Sequence, residues 1–283
     1  MKLTKYPAGL ALAVTLFFVS AAAAQQAAPA ADLDYQTGAV LYMQKAAEYR
    51  ALCYQAFNIA RLRLDTDLDK KNVKKLPKAE RKMPRAIIVD IDETVLDNSP
   101  AQARGIRTNT PYNSKDWYEW SNKGKAKAIP GVVEFLNYAV SKGVKIFYIS
   151  NRDDKNEKQI TIENLKCVEK RDSKCYGLND VSAENVMLKT SESGKEARRS
   201  IVTAKYRVVM LVGDNLDDFT SAFEKKSVAD RFGETDKAKD FWGSKFIVLP
   251  NAMYGTWENA IYEYQRLTEA QKAEKRAAAL ELP

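Results

Sequence analysis

Asp90 and Asp92 stand two residues apart in Val89-Asp-Ile-Asp-Glu-Thr94, directly after the apolar run Ala86-Ile-Ile-Val89. In an extended segment, side chains at i and i+2 share a side, which puts these carboxylates ~6–7 Å apart. A phosphoryl group and a divalent ion fit that spacing. One carboxylate can attack as a nucleophile while the other protonates a departing oxygen and later activates water. Neither role needs histidine, and the chain has none. That composition excludes Ser-His-Asp and Cys-His hydrolases, histidine phosphatases and His-ligated zinc sites. Taken alone, an acidic cluster at a strand end also reads as a cap on the next turn.

Three more polar clusters could contribute. Ser150-Asn151-Arg152 closes the apolar run Val144 to Ile149. A hydroxyl and nearby backbone N–H groups there suit phosphate oxygens, or an ordinary helix cap. Ser193-Gly-Lys-Glu196 has the spacing of a capping box with Ser193 as N-cap. Lys195 then falls in the first helical turn, where the dipole disfavours a cation unless an anion binds alongside. Lys195 is therefore a phosphate-binding candidate, and Lys189 is its competitor nearer a strand end. Gly213-Asp214-Asn-Leu-Asp217-Asp218 gathers carboxylates at a strand-to-helix turn. They suit a hard cation bound through oxygen, or simply a helix start.

The elements that must position these groups follow from patterning. Near-continuous apolar runs at 86–90, 144–150, 185–189, 207–214 and 245–250 predict strands covered on both faces. Helical patterns lie between them, at 132–140, around Ile160, Ile162 and Leu165, and from Leu216 to Lys226. Alternation of strand and helix predicts an α/β fold, a doubly wound parallel sheet whose ligand sits outside the carboxyl ends of the strands. Tyr42, Ala46, Tyr49, Cys53, Phe57, Ala60 and Leu64 recur at steps of three and four. They predict one long helix ahead of the sheet, with Cys53 as a packing residue. Segment 96–129 has no apolar run but carries Tyr112, Trp117, Tyr118 and Trp120, and reads as a small cap-like insertion over the strand ends. The Ala-, Glu- and Lys-rich tail from Trp257 is predicted to be helical to near its end.

The chain has 283 residues, of which 45% are hydrophobic and 29% charged, which is globular rather than disordered composition. Lys2 and Lys5, the apolar run Leu10 to Val19 and Ala22-Ala23-Ala24 predict an export signal over 1–24. A flexible mature N-terminus over 25–34 and a single domain over 35–283 are expected to follow, in the periplasm or secreted, without a stable membrane anchor. Net charge is +8, or +6 without Lys2 and Lys5. The basic residues between Lys70 and Lys82 lack interleaved aromatics and read as a solvated linker, so no nucleic-acid partner is expected. Cys167 and Cys175 fit either a local disulfide or two free thiols. A homodimer is compatible with the sequence.

Aspartates, hydroxyl, lysine and aspartates, in that order and each at a strand end, resemble the haloacid dehalogenase-like phosphohydrolases. The closer resemblance is to class C acid phosphatases, which include bacterial 5'-nucleotidase-type enzymes. It is carried by Asp90-Ile-Asp-Glu-Thr-Val-Leu-Asp-Asn-Ser-Pro100, Tyr148-Ile-Ser-Asn-Arg152, Lys195-Glu-Ala-Arg198, Val212-Gly-Asp-Asn-Leu-Asp-Asp-Phe219 and Leu249-Pro-Asn-Ala-Met-Tyr-Gly-Thr-Trp257. The resemblance implies a Mg2+-dependent phosphomonoesterase. Asp90 would be nucleophile and Mg2+ ligand, and Asp92 the general acid-base, binding the ion through its backbone carbonyl. Asp214 would be a further ligand, with Asp218 behind it. Ser150, Asn151 and Lys195 would bind the phosphoryl group, and the Lys-x-Ala-Arg stretch selects Lys195 over Lys189. Trp117 and Tyr254 occupy the positions that stack a substrate ring. The expected partner is a small phosphomonoester, such as a nucleoside 5'-monophosphate. Rival readings are phosphoryl transfer to an alcohol, and non-catalytic nucleotide or envelope binding. The segment after Pro100 lacks the expected aromatics, no lipid-attachment Cys follows the signal, and the Cys167–Cys175 loop is foreign to the pattern.

Overall fold

The computed structural model describes Met1 and residues 32–283. The expected export signal and most of the expected flexible segment lie outside the described residues. Leu33 is already buried, and its N–H donates to Asn109 Oδ1 at 3.3 Å, so packing begins ahead of residue 35.

Helices α1 (Thr37–Lys45), α2 (Ala47–Leu68), α3 (Lys70–Val73) and α4 (Lys78–Lys82) precede strand β1 (Arg85–Val89). A hairpin of β2 (Leu96–Asp97) and β3 (Lys127–Ala128) encloses α5 (Ser99–Thr108) and α6 (Ser114–Ser121). Next come α7 (Val132–Ser141), β4 (Lys145–Asp153) and α8 (Asp154–Lys166). A second small hairpin, β5 (Glu169–Arg171) with β6 (Lys174–Tyr176), leads to β7 (Val186–Lys189), α9 (Glu196–Thr203) and β8 (Arg207–Gly213). Then follow α10 (Val228–Lys237), β9 (Phe246–Val248), α11 (Thr256–Ile261) and α12 (Glu269–Ala278).

The five apolar runs form one parallel sheet in the order β7-β4-β1-β8-β9. From β1 the chain moves outward to β4 and β7, then returns to the other side of β1 for β8 and β9. The winding therefore reverses between β1 and β8, and such a reversal opens a crevice at the carboxyl ends of the strands. Strand periodicity explains the continuous hydrophobicity of the runs. Ile87 and Val89 face a core with Phe57 and Leu64 of α2 and Phe135 and Leu136 of α7. Ala86 and Ile88 face the opposite side, with Val202, Phe219 and Phe246. Cys53 is fully buried on α2, as a packing residue should be; burial pushes its thiol up to about 11.

Several elements differ from expectation. The stripe Tyr42 to Leu64 does not lie on one helix. Ala46 takes extended backbone (ψ 127°) and divides α1, which packs on α5, from α2, which packs on α7. Tyr42 consequently sits partly exposed. Segment Leu216 to Lys226 forms two 3₁₀ turns, at Leu216–Asp218 and Ser221–Phe223, divided by Thr220, which takes extended backbone and accepts from Ala222 N–H to cap the second turn. The tail is two helices: Glu263 and Tyr264 both adopt left-handed backbone, and Thr268 then caps a fresh start at α12. Cys167 and Cys175 are joined by a disulfide at the base of the β5–β6 hairpin. Among the described residues, no helix is long and apolar enough to cross a membrane.

Candidate active site

Strand ends deliver the polar groups to one cleft of about 840 Å³, lined by Asp90, Asp92, Ser150, Asn151, Lys195, Asp214 and Asp218 together with residues of the β2–β3 insertion and the C-terminal segment. Asp90 is the first residue past β1, and its N–H donates to Val212 O at 2.9 Å, so the sheet ladder itself fixes its height beside β8. Asp214 follows β8. Its Oδ1 accepts from Thr94 Oγ1 at 3.0 Å and its Oδ2 from Asn251 Nδ2 at 2.9 Å. Asp218 tucks back beneath the turn, where Oδ2 accepts from Asn215 N–H at 3.1 Å. Gly213 makes this possible, since a Cβ there would lie 2.6 Å from Cβ of Asp218.

Lys195 reaches into this acidic group and is only 5% exposed. Its Nζ donates to Asp90 and, at 2.6 Å, to Asp218 Oδ1. Burial works against its charge, but Asp218 and Asp90 outweigh burial and raise its pKa. The expected capping box is not formed. Lys195 is itself the N-cap of α9, and no side chain caps that helix. Glu196 turns to Arg199 Nη2 at 2.7 Å instead. The helix-end location of Lys195 stands, and an anion at that end satisfies both the dipole and the lysine. Lys189 does not line the cleft.

Asp90, Asp214 and Asp218 each offer an oxygen within 4.8 Å of the others. Burial, with neighbouring carboxylates adding to it, raises Asp90 well above the ordinary range even against Lys195. Burial and Asp218 push Asp214 up to about 7, despite hydrogen bonds from Asn251 and Thr94. A single lysine thus leaves negative charge in excess, and this all-oxygen donor set fits a hard divalent cation.

Asp92 faces the other way. Its Oδ1 accepts from Arg152 Nη2 at 2.7 Å, Arg152 Nε at 2.9 Å and Asn98 Nδ2 at 2.8 Å, while Oδ2 accepts from Ser150 Oγ at 3.2 Å. A strand irregularity creates this arrangement. Between the pairs Ile149–Met187 and Asp153–Lys189, β4 carries Ser150, Asn151 and Arg152 while β7 carries only Leu188. Bulges re-aim side chains. Here Arg152 turns inward to 2% exposure while Asn151 remains exposed. The strand therefore runs past Ser150, where the sequence pattern had ended it.

Trp117 and Tyr254 both line the cleft. Each ring is tied down by a buried carboxylate: Trp117 Nε1 donates to Glu157 Oε1 at 2.9 Å, and the Tyr254 hydroxyl donates to Glu93. The Arg152 guanidinium lies 5.5 Å from the Trp117 ring centroid, within cation–π range. Glu93, Asn98, Arg152 and Glu157 were missed as site residues from sequence. Glu93 and Asn98 sit inside the Asp90–Pro100 stretch and Arg152 directly follows Ser150-Asn151, but nothing in residue type alone marks them as supports. Glu93 holds a left-handed backbone (φ 60°), an uncommon state for a non-glycine and a sign of local constraint.

Residues 7–257 match the family profile of the HAD superfamily, subfamily IIIB (Acid phosphatase). The fold resembles the class C acid phosphatase from Bacillus anthracis with tungstate bound, at TM-score 0.79 and 41% identity, covering 88% of this chain and 98% of that one. A second structure of the Bacillus anthracis class C acid phosphatase gives TM-score 0.77 and 40% identity over the same shares. The chain is also similar to two stem glycoproteins of Glycine max. The Stem 31 kDa glycoprotein is 31% identical over 173 residues, 59% of this chain and 57% of the relative. The Stem 28 kDa glycoprotein is 31% identical over 144 residues, 50% of this chain and 54% of the relative. The chain thus spans little more than half the length of these plant relatives. With its profile match across most of the sequence and its strand-end aspartates converging in one cleft, the chain belongs to the HAD superfamily, subfamily IIIB, an acid phosphatase family of phosphomonoester hydrolases.

Proposed function

We propose that this protein is an exported, Mg2+-dependent phosphomonoesterase working through an aspartyl-phosphate. The observation that carries this reading is the division of the two first-strand aspartates. Asp90 sits in the cluster with Lys195, Asp214 and Asp218, while Asp92, two residues on, faces Ser150. Nucleophile and proton donor thus flank the place where a phosphoryl group would lie.

In the proposed cycle, an Asp90 oxygen attacks phosphorus in line with the departing alkoxide. Asp92 gives its proton to that oxygen, then takes one from the water that hydrolyses the aspartyl-phosphate. Lys195, Ser150 and Asn151 hold the phosphoryl oxygens. Asp90, Asp214 and the Asp92 backbone carbonyl would hold Mg2+, with Asp218 behind. When bound, the ion neutralises charge on the transferring group. Trp117 and Tyr254 would grip a flat leaving group, such as a nucleoside, by stacking.

Phosphate release from p-nitrophenyl phosphate, with Mg2+ and then with excess chelator, tests the reading across acid to neutral pH. Chelator-sensitive turnover inhibited by tungstate is expected, as the Bacillus anthracis enzyme was solved with tungstate. Absence of turnover at every pH overturns it. Faster turnover of nucleoside 5'-monophosphates than of glycerol phosphate is expected, and the reverse order overturns the ring-stacking substrate.

A further inference from the structure

Helix α9 carries two adjacent arginines behind Lys195, and they reach to opposite sides. Arg198 Nη1 donates to Ser150 O at 2.5 Å and, more weakly, to Met187 O at 3.5 Å. Its Nη2 donates to Asn151 Oδ1 at 2.7 Å, Ser193 O at 3.1 Å and Gly194 O at 3.2 Å. One guanidinium therefore joins the β4 bulge to the loop that ends in Lys195. Arg199, 4% exposed, donates through Nη1 to Asp217 O at 3.0 Å and Asp218 O at 2.9 Å. Its Nη2 is steadied by Glu196. The second guanidinium thus joins the same helix turn to the loop after β8. Neither arginine lines the cleft.

We propose that Arg198 and Arg199 form a two-armed bracket that sets the phosphate-binding loop and the cation-binding loop relative to Lys195. Both are positioning residues, and their effects are separable: Arg198 governs the phosphate side and Arg199 the metal side. The inference rests on the phosphatase reading above. The physical reason lies in the fork. A planar guanidinium presents several donors in fixed directions and satisfies carbonyls of two segments at once. An ammonium is a single point of charge and cannot span them, so Arg→Lys keeps the charge and loses the bracket.

The test is calorimetric titration of wild type, Arg198→Lys, Arg199→Lys and Glu196→Gln, first with Mg2+ on chelator-treated protein and then with inorganic phosphate at saturating Mg2+. Arg199→Lys is expected to weaken Mg2+ about 10-fold and leave phosphate within about twofold, the scale of a lost outer support around a metal site. Arg198→Lys is expected to weaken phosphate about 10-fold and leave Mg2+ within about twofold. Glu196→Gln, on the exposed end of the Arg199 contact, should weaken Mg2+ about threefold. Variants that weaken both ligands together, or neither, overturn the bracket. If an arginine variant does not fold by circular dichroism, an unchanged Mg2+ affinity in Glu196→Gln overturns it alone. A wild-type protein that binds neither ligand overturns the phosphatase reading instead.

Discussion

Arg152 holds Asp92 side-on, with Nη2 at 2.7 Å and Nε at 2.9 Å from the same Oδ1 and Nε at 3.2 Å from Oδ2. The guanidinium is buried, and its remaining donors go to Thr161 Oγ1 and Asn98 Oδ1. The second carboxylate is thus immobilised from behind, and its Oδ2 edge meets Ser150 on the cleft side. In the proposed cycle the Arg152 contact would fix Asp92 for proton transfer to the leaving oxygen, since general acid catalysis requires a positioned donor.

Asp92→Asn should separate substrates by leaving group. The amide oxygen still accepts from Arg152, but the side chain cannot donate an acidic proton. The loss in kcat/KM is expected to be about 10²-fold greater for alkyl phosphates than for p-nitrophenyl phosphate, whose phenolate departs unaided. Equal losses for the two substrates would argue against the acid role. The variant should also melt lower than wild type, because the buried guanidinium loses its charge partner.

Asp90→Asn should behave differently. Asp90 sits among like charges in a buried cluster, and Lys195 keeps Asp218 as a partner when Asp90 is neutralised. Turnover is expected to fall by at least ~10³-fold, as for removal of a nucleophile. The melting temperature should hold or rise. Residual turnover near wild type would remove Asp90 from the nucleophile role.

Gly213→Ala probes the floor of the carboxylate cluster proposed to hold the cation. The added Cβ meets Asp218 Oδ2 at 2.5 Å and its Cβ at 2.6 Å, so Asp218 must move away from Lys195 and from Asn215 N–H. Calorimetry is expected to show Mg2+ binding weakened by about 10-fold or more. Unaltered Mg2+ affinity would mean that Asp218 is not needed to hold the ion's surroundings.

The five strands of the parallel sheet and the polar clusters near their ends were legible because buried parallel strands write continuous apolar runs, and chemistry collects where the runs stop; the short hairpins β2–β3 and β5–β6 have no such run and were not. Asp90, Ser150 and Asp214 follow from that rule, whereas Lys195 lies at the start of α9, beyond the end of β7, and was singled out by its place near a helix start and by the Lys-x-Ala-Arg resemblance. What stayed hidden depends on long-range closure. Glu93 looks like a surface carboxylate in a turn until Tyr254, far along the chain, is folded onto it. Arg152 looks like a solvated residue after a strand until the β4 bulge turns it inward. A local rule also misled where another local contact outbid it: Ser193 and Glu196 have capping-box spacing, yet Arg199, one turn along the same helix, claims Glu196, and Lys195 takes the cap position. The continuous stripe from Tyr42 to Leu64 gave no sign of the break at Ala46, which lets α1 and α2 reach different partners.

The acidic cluster also predicts how metal-free protein responds to pH. Burial and Asp218 move Asp214 from the ordinary 3.8 up to about 7, so the folded state binds its proton more tightly than the unfolded chain does. The stability linked to this group is complete below the ordinary value and is lost as pH rises through about 7. Asp90, raised by burial in the same cluster, acts in the same direction. The Asp67 carboxyl sits below its ordinary value: burial would raise it, but hydrogen bonds from Arg207 and Arg85 prevail. Its contribution is therefore lost only at pH below the ordinary carboxylate range, outside the interval of interest. In chelator, the melting temperature should fall between about pH 5 and about pH 8, and the stabilisation gained by adding Mg2+ should grow over the same interval as the ion replaces protons. Asp214→Asn should flatten the chelator profile. A metal-free melting temperature that rises with pH across this interval, or a profile unaltered in Asp214→Asn, would show that the cluster does not store this charge.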